Sequence, residues 1–145
     1  MAELATTQSA TILCVDDEAN QLVLRKRLLE NAGYRVLTAD SFRSALLTFE
    51  SNAIDLAVVD YWMRGGNGVQ LAGELKRHRE DLPIVILSAY SELPGETIGI
   101  ADAWITKGGA SQTLLAKIAE LLARAVVRSH PDMRRARRSK PTLDL

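Results

Sequence analysis

Five polar or charged side chains stand where short apolar runs of this sequence end. They are Asp16, Asp17, Asp60, Ser88 and Lys107. If the apolar runs are parallel strands, these groups converge at the carboxyl edge of one sheet, which is where open α/β sheets bind ligands. A carboxylate there can act as a nucleophile toward a phosphoryl group, and a lysine and a hydroxyl can bind the phosphoryl oxygens. The pattern therefore predicts a phosphoryl-transfer site with Asp60 as the nucleophile.

The three carboxylates also predict a metal ion. Carboxylates crowded at one place repel each other, so a divalent cation is needed to keep all of them ionised. All-oxygen ligands favour Mg²⁺, with Mn²⁺ as the second candidate, over Zn²⁺. Each residue has an ordinary explanation when taken singly, since Asp16 and Asp17 can cap a helix and Lys107 can be a solvated lysine. The prediction rests on their combination.

Five short apolar runs would position these groups as buried strands. The runs are Thr11–Val15, Tyr34–Ala39, Leu56–Val59, Pro83–Leu87 and Ala103–Thr106. Unbroken aliphatic runs are typical of strands that are buried on both faces in a parallel sheet. Helical periodicity follows four of the runs and a short helix is expected after Pro83–Leu87, so the chain is predicted to be a three-layer α/β domain with a five-stranded parallel sheet and five helices.

Local signals predict where the helices begin and end. Gly33 is placed to terminate the first helix, whose apolar residues are Leu22, Leu24, Leu28, Leu29 and Ala32. Ser41 and Ser111 are predicted to cap the second and the last helix. The third helix is predicted over Val69–Arg79. Ser91–Ile100 contains a proline and two glycines, so a short or mobile helix is expected there.

Composition bounds the class of protein. The 145 residues suit one domain, and no stretch approaches the roughly 18 apolar residues of a membrane span. The first residues lack the features of a signal peptide, and the single Cys14 cannot form an internal disulfide. A cytoplasmic protein with no membrane contact is therefore expected, with Cys14 as a small core residue.

Charge divides the chain unevenly. Residues 124–145 carry seven Lys and Arg against two Asp and Glu, whereas residues 1–123 carry eleven against sixteen. We expect a disordered start over 1–10, a folded domain over 11–128 and a basic, disordered tail over 129–145. The tail has no aromatic residues for stacking on bases, so binding to nucleic acid is not expected.

Taken together in chain order, the motifs at the strand ends resemble the receiver domain of two-component response regulators. The match covers residues 11–127: the acidic pair Asp16-Asp17, Asp60 with Met63 and Gly68 after it, Ser88-Ala89, and Lys107. The resemblance implies a flavodoxin-like fold and phosphorylation of Asp60 by a histidine kinase or a histidine phosphotransfer protein. It implies Mg²⁺ ligation by Asp17, Asp60 and the backbone carbonyl of Trp62, with Asp16 acting mainly through water. Ser88 and Lys107 would sense the phosphoryl group.

Three positions depart from the receiver pattern. Arg64 and Gly108 stand where the family usually has proline, and Trp104 stands at the aromatic switch position, usually tyrosine or phenylalanine. Without proline, the Lys107–Gly108 peptide bond is expected to be trans, because a cis bond there would cost ~3 kcal/mol. These departures keep open a degenerate receiver that binds partners without phosphorylation. A phosphatase is a further alternative, although it would want a carboxylate where Trp62 stands.

The predicted output is a contact with another protein. We expect a stand-alone receiver, similar to single-domain chemotaxis regulators, which is not an enzyme beyond its own phosphorylation and dephosphorylation. It would signal to a downstream protein target through its last helices and last strand, with phosphorylation-dependent homodimerisation as one route. Trp62 and Tyr90 lie two residues beyond Asp60 and Ser88, where they would obstruct attacking water. Slow dephosphorylation is therefore predicted.

Overall fold

A computed structural model of the chain describes residues 9–89 and 99–129, with side chains as far as residue 126. These residues form seven strands and four helices. In chain order they are β1 (Thr11–Val15), α1 (Ala19–Asn31), β2 (Arg35–Ala39), α2 (Phe42–Ser51), β3 (Leu56–Asp60), β4 (Trp62–Met63), β5 (Gly66–Asn67), α3 (Gly68–His78), β6 (Ile84–Ser88), β7 (Ala103–Thr106) and α4 (Ser111–Ser129).

Five of the strands form one parallel sheet in the order β2-β1-β3-β6-β7. Val15 pairs with both Ala39 and Val59, so the first three strands end level with one another. Ser88 pairs with Thr106 at the end of the last two. The predicted parallel sheet is confirmed, and its register aligns the carboxyl ends of the strands. The remaining two strands, β4 and β5, form a short antiparallel hairpin after β3.

The core lies in two layers, one on each face of the sheet. Successive residues of a strand point to opposite faces, so Leu13 and Val15 pack with α2 and α3, whereas Ile12 and Cys14 pack with α1 and α4. All five residues of each of β1, β3 and β6 are buried. This double-sided burial explains why these strands appear in the sequence as unbroken apolar runs.

The predicted helix boundaries at Gly33 and Ser41 are confirmed. The predicted start at Ser111 and both ends of the third helix, predicted over Val69–Arg79 and observed over Gly68–His78, are shifted by one residue. Gly33 has a φ of 102° and its N–H donates to the carbonyl of Glu30, while the N–H of Tyr34 donates to that of Leu29, which is the Schellman arrangement. Ser41 caps α2 through a reciprocal pair of hydrogen bonds with Ser44. Ser111 is the first residue of α4 and not the residue before it.

The apolar face predicted for α1 is wrong at Leu24 and at Ala32, which is exposed at the end of the helix. Leu22 and Leu29 are buried, but the Leu24 side chain is 61% exposed, and Arg25 is buried in its place. The residues of one helix face recur three and four apart, and Leu22, Arg25 and Leu29 follow that spacing. An arginine therefore occupies the middle of the buried face of α1.

Several predictions concern residues outside the described part of the chain. Residues 1–8, 90–98 and 130–145 are not described, so the disordered start, the basic tail, the helix expected over Ser91–Ile100 and the position of Tyr90 stay predictions. The described residues contain no cis peptide bond, which confirms the trans bond expected between Lys107 and Gly108. Within residues 9–89 and 99–129, no helix is both long enough and apolar enough to span a membrane.

Candidate functional site

Three carboxylates meet at the carboxyl edge of the sheet. One oxygen from each of Asp16, Asp17 and Asp60 lies within 4.8 Å of the other two. Asp16 follows β1 and Asp60 ends β3, and these two strands are paired neighbours. Asp16 and Asp60 are buried, while Asp17 is only partly buried. The sequence placed these three acids at strand ends, and the sheet brings them together.

Lys107 reaches this cluster from the end of β7. Its Nζ lies 2.9 Å from Asp60 Oδ1 and 3.4 Å from Asp16 Oδ2. The backbone N–H of Lys107 donates to the carbonyl of Ser88 at 2.7 Å, which places the lysine directly beyond the buried Ser88. The sheet thus gathers all five residues identified from the sequence at one edge.

Arg25 is a member of the cluster that the sequence reasoning missed. Its Nη1 donates to Asp16 Oδ2 at 3.2 Å, and both side chains are buried. Asp16 also accepts the backbone N–H of Glu18 through Oδ1 at 2.9 Å. The signal was present in the sequence, because Arg25 lies three residues after Leu22 and four before Leu29. A charged residue on the apolar face of a helix needs a buried partner, and Asp16 is that partner.

Arg64 interacts with the third carboxylate. Its backbone N–H donates to Asp17 Oδ2 at 3.1 Å, and its Nε lies 3.6 Å from the same oxygen. Proline has no N–H and could not make this hydrogen bond. The departure from the receiver pattern at position 64 therefore gives Asp17 a donor and a nearby positive charge.

Gly68 allows the start of α3 to lie close against the backbone of Asp60 and Tyr61. Its N–H donates to the carbonyl of Tyr61 at 2.7 Å. A Cβ at this position would lie 2.5 Å from the carbonyl oxygen of Asp60. Only glycine fits that close approach, which explains physically why a glycine stands eight residues after Asp60. The β4–β5 hairpin between them returns the chain to the start of α3.

Burial dominates the electrostatics of the nucleophile. Removal from water raises the pKa of Asp60, the hydrogen bond from Lys107 opposes this rise, and the charge of Asp16 adds to it. Burial lowers the pKa of Lys107, but the hydrogen bonds and charges of Asp60 and Asp16 together outweigh that effect, so the pKa of Lys107 is raised. The lysine is held charged, yet it does not fully compensate the carboxylates. A further cation beside Asp60 would favour its ionised form.

Three aromatic rings form a chain of contacts that begins at Trp62, which lines the site beside Asp17 and Asp60. Trp62 is 58% exposed, and its ring makes an edge-to-face contact with Tyr61 at a centroid distance of 5.1 Å. Tyr61 in turn packs against Trp104 at 5.6 Å. Trp104 is partly buried on the α2 and α3 side of the sheet. The three rings therefore form a continuous series of contacts from Trp62, beside the carboxylates, to Trp104, the predicted switch position in β7.

Comparison with known proteins assigns the family. The family model described as the response regulator receiver domain matches residues 12–119. The chain belongs to this family. Receiver domains of two-component response regulators work in signalling through a phosphorylated aspartate and are generally not enzymes. Response regulators interact with histidine kinases and with downstream effectors.

Curated relatives extend the likeness to longer regulators. The receiver domain is 35% identical over 119 residues to the phosphate regulon transcriptional regulatory protein PhoB of Pseudomonas aeruginosa, a match covering 79% of this chain and 52% of that protein. It is 39% identical over 122 residues to the transcriptional regulatory protein YvrH of Bacillus subtilis, covering 81% and 51%. The chain thus spans about half the length of the curated relatives it matches.

Solved structures support the same fold. The response regulator TrrA of Thermotoga maritima, determined in complex with Mg²⁺ and BeF, is 34% identical with a TM-score of 0.73, and the match covers 77% of this chain and 98% of that one. A CheY-like receiver domain protein of Methanospirillum hungatei is 27% identical with a TM-score of 0.79, covering 83% and 99%. The flavodoxin-like architecture expected from the sequence is confirmed.

Proposed function

We propose that this receiver domain accepts a phosphoryl group on Asp60 from a histidine kinase or a histidine phosphotransfer protein. The observation that carries the proposal is the position of Asp60, with its Oδ1 2.9 Å from the ammonium of Lys107 and two more carboxylates beside it. In the transfer, an oxygen of Asp60 forms a bond to phosphorus as the bond from phosphorus to the donor nitrogen breaks. Lys107 and the Ser88 hydroxyl bind phosphoryl oxygens.

The residues present fit a magnesium ion. Three carboxylate oxygens within 4.8 Å of one another offer the oxygen ligands that Mg²⁺, and also Mn²⁺, prefers. Asp17, Asp60 and the backbone carbonyl of Trp62 would hold the ion, with Asp16 acting mainly through water. When bound, Mg²⁺ supplies positive charge that neutralises the carboxylates and the phosphoryl oxygens. The solved relative TrrA in complex with Mg²⁺ and BeF supports this assignment.

Output would proceed through the last strand and the last helices. Trp104 is the proposed switch residue. Its ring contacts Tyr61, which directly follows Asp60 in the chain, and this contact supports coupling between Trp104 and the phosphorylation site. The signal would pass to a downstream protein, with phosphorylation-dependent homodimerisation as one route. The curated relatives PhoB and YvrH are described as transcriptional regulatory proteins, so the absence of nucleic-acid binding stays a prediction, as does the cytoplasmic location.

A degenerate receiver is the second candidate. The observation that favours it is the pairing of Asp16 with Arg25 and of Asp17 with Arg64, since both acids already have cationic partners. Such a protein would bind its target without phosphorylation. The phosphatase alternative has no comparable support, because Trp62 occupies the place of its second carboxylate.

Phosphorylation by a small donor separates these candidates. The receiver would be incubated with acetyl phosphate or phosphoramidate and Mg²⁺, then weighed intact by mass spectrometry beside Asp60→Asn. We expect one phosphoryl group on the wild type, dependent on Mg²⁺, and none on the variant. Size-exclusion chromatography of the product tests dimerisation. No adduct, and no release of phosphate, would favour the degenerate receiver.

A further inference from the structure

Arg25 places a permanent positive charge inside the acidic site. Its side chain is 8% exposed and Asp16 is fully buried, so water screens their interaction weakly. A guanidinium is a permanent cation in proteins. Leu22 and Leu29, on the same face of α1, are buried to either side of Arg25 and fix the helix against the sheet. The arginine is therefore held in place and is not a mobile surface group.

Asp16 is already engaged on both of its oxygens. Oδ1 accepts the N–H of Glu18, and Oδ2 receives Arg25 at 3.2 Å and Lys107 at 3.4 Å. A carboxylate has about four acceptor positions, so little of its hydrogen-bonding capacity stays available for a metal-bound water. The charge of Arg25 also acts beyond Asp16, because it opposes the rise in the pKa of Asp60.

We propose that Arg25 is a built-in counter-cation that competes with Mg²⁺ for the charge of Asp16 and thereby weakens metal binding. This inference rests on the proposed function, since it concerns the same metal site. Arg25 is a positioning residue: it stabilises the cluster when no metal is bound and raises the Mg²⁺ concentration that phosphorylation requires. Without metal, Arg25 and Lys107 place two positive charges against Asp16 and Asp60, whereas the exposed Arg64 lies beside Asp17.

Arg64 does not have the same effect as Arg25. Its side chain is 87% exposed, and exposed ion pairs contribute little because solvent screens them and the side chain can move away. Arg27, also on α1, is exposed and provides a matched control. Substituting it removes one arginine from the same helix without touching the acidic site.

Magnesium titration of the purified chain and its variants tests the proposal. Calorimetry and tryptophan fluorescence would give the Kd for MgCl₂ with the wild type, Arg25→Met, Arg25→Lys and Arg27→Met. We expect Arg25→Met to bind Mg²⁺ about tenfold more tightly, since an opposing charge next to the site is gone. Arg25→Lys, which retains the charge, and Arg27→Met should stay within about twofold of the wild type, as expected for charge-conserving or exposed changes.

Thermal unfolding provides a second readout. Without metal, Arg25→Met should unfold at a lower temperature than the wild type because Asp16 loses its buried partner, and Mg²⁺ should raise its Tm by more than that of the wild type. If Arg25→Met does not fold, Arg25→Gln removes the charge while keeping a hydrogen-bond donor, and it takes the same place in both measurements.

The outcomes separate this inference from the proposed function. Equal or weaker Mg²⁺ binding by the charge-removing variant, with normal binding by the wild type, overturns the role of Arg25 and leaves the metal site standing. A lowered Tm without tighter binding does the same, because it indicates a purely structural arginine. Binding by the variant but not by the wild type supports the inference in its strongest form. No binding by any chain overturns both.

Discussion

Gly68 offers a direct test of how tightly the backbone supports Asp60. In Gly68→Ala the new Cβ would start 2.5 Å from the carbonyl oxygen of Asp60 and 3.1 Å from the Cα of Tyr61. Ordinary contact begins at 3.4 Å, so either the start of α3 or the backbone of Asp60 and Tyr61 must move by about 0.9 Å. The atoms in the way belong to the backbone and cannot rotate aside as a side chain would. The φ of Gly68 is not positive, so the clash alone causes the strain.

The size of the effect follows from that displacement. Overpacking of this kind costs roughly 1–3 kcal/mol, and we expect a loss of about 2 kcal/mol in the free energy of unfolding. For a domain of this length, such a loss lowers the Tm by roughly 5–10 °C. A reacting group misplaced by about 1 Å can lose ~100-fold in rate, so phosphorylation of Asp60 should slow by about 10- to 100-fold.

The measurements are thermal unfolding and the initial rate of phosphorylation by acetyl phosphate with Mg²⁺. Gly73→Ala is the matched control, because Gly73 also lies in α3 and an added Cβ would meet nothing within 4 Å. That variant should keep its phosphorylation rate and gain about 0.5–1 kcal/mol from the better helix propensity of alanine. If Gly68→Ala matched Gly73→Ala in both measurements, the close approach beneath Asp60 would not constrain the site.

Two further predictions concern Cys14 and Trp62. Burial raises the pKa of the Cys14 thiol to about 12 from its usual 9.0. Between these pH values the folded state keeps a proton that the unfolded state loses. The free energy of unfolding should therefore fall as the pH rises above about 9. Urea unfolding from pH 8 to 10 should therefore show a steeper fall in stability for the wild type than for Cys14→Ala, and iodoacetamide should label Cys14 only on unfolding; rapid labelling of the folded protein would contradict this. If Trp62 shields the phosphorylated site from water, then Trp62→Ala should lose its phosphoryl group several-fold faster after the donor is removed. Equal decay of the phosphorylated mass in both proteins would exclude this role for Trp62.

Much of the fold and of the site could be predicted because burial determines which positions along the chain are apolar. A strand covered on both faces must be apolar throughout, so Leu56–Val59 and its counterparts were recognisable. Asp60 and Lys107 follow such strands, and parallel strands end at one edge. Helix boundaries were predicted less accurately, and α4 begins at Ser111 itself, since helix ends depend on hydrogen bonds that periodicity does not specify.

What the sequence by itself determined was the order of strands and helices, the parallel sheet and the five side chains at its carboxyl edge. Each follows from local patterns of apolar and polar residues. Only the tertiary structure decided that α1 turns Arg25 inward and Leu24 outward, that the N–H of Arg64 reaches Asp17, and that Gly68 lies against the carbonyl of Asp60. These contacts depend on how whole elements are rotated and seated on one another. That arrangement is a property of packing the entire domain, because buried charges and close backbone approaches depend on how separate elements meet and not on the local pattern of residues.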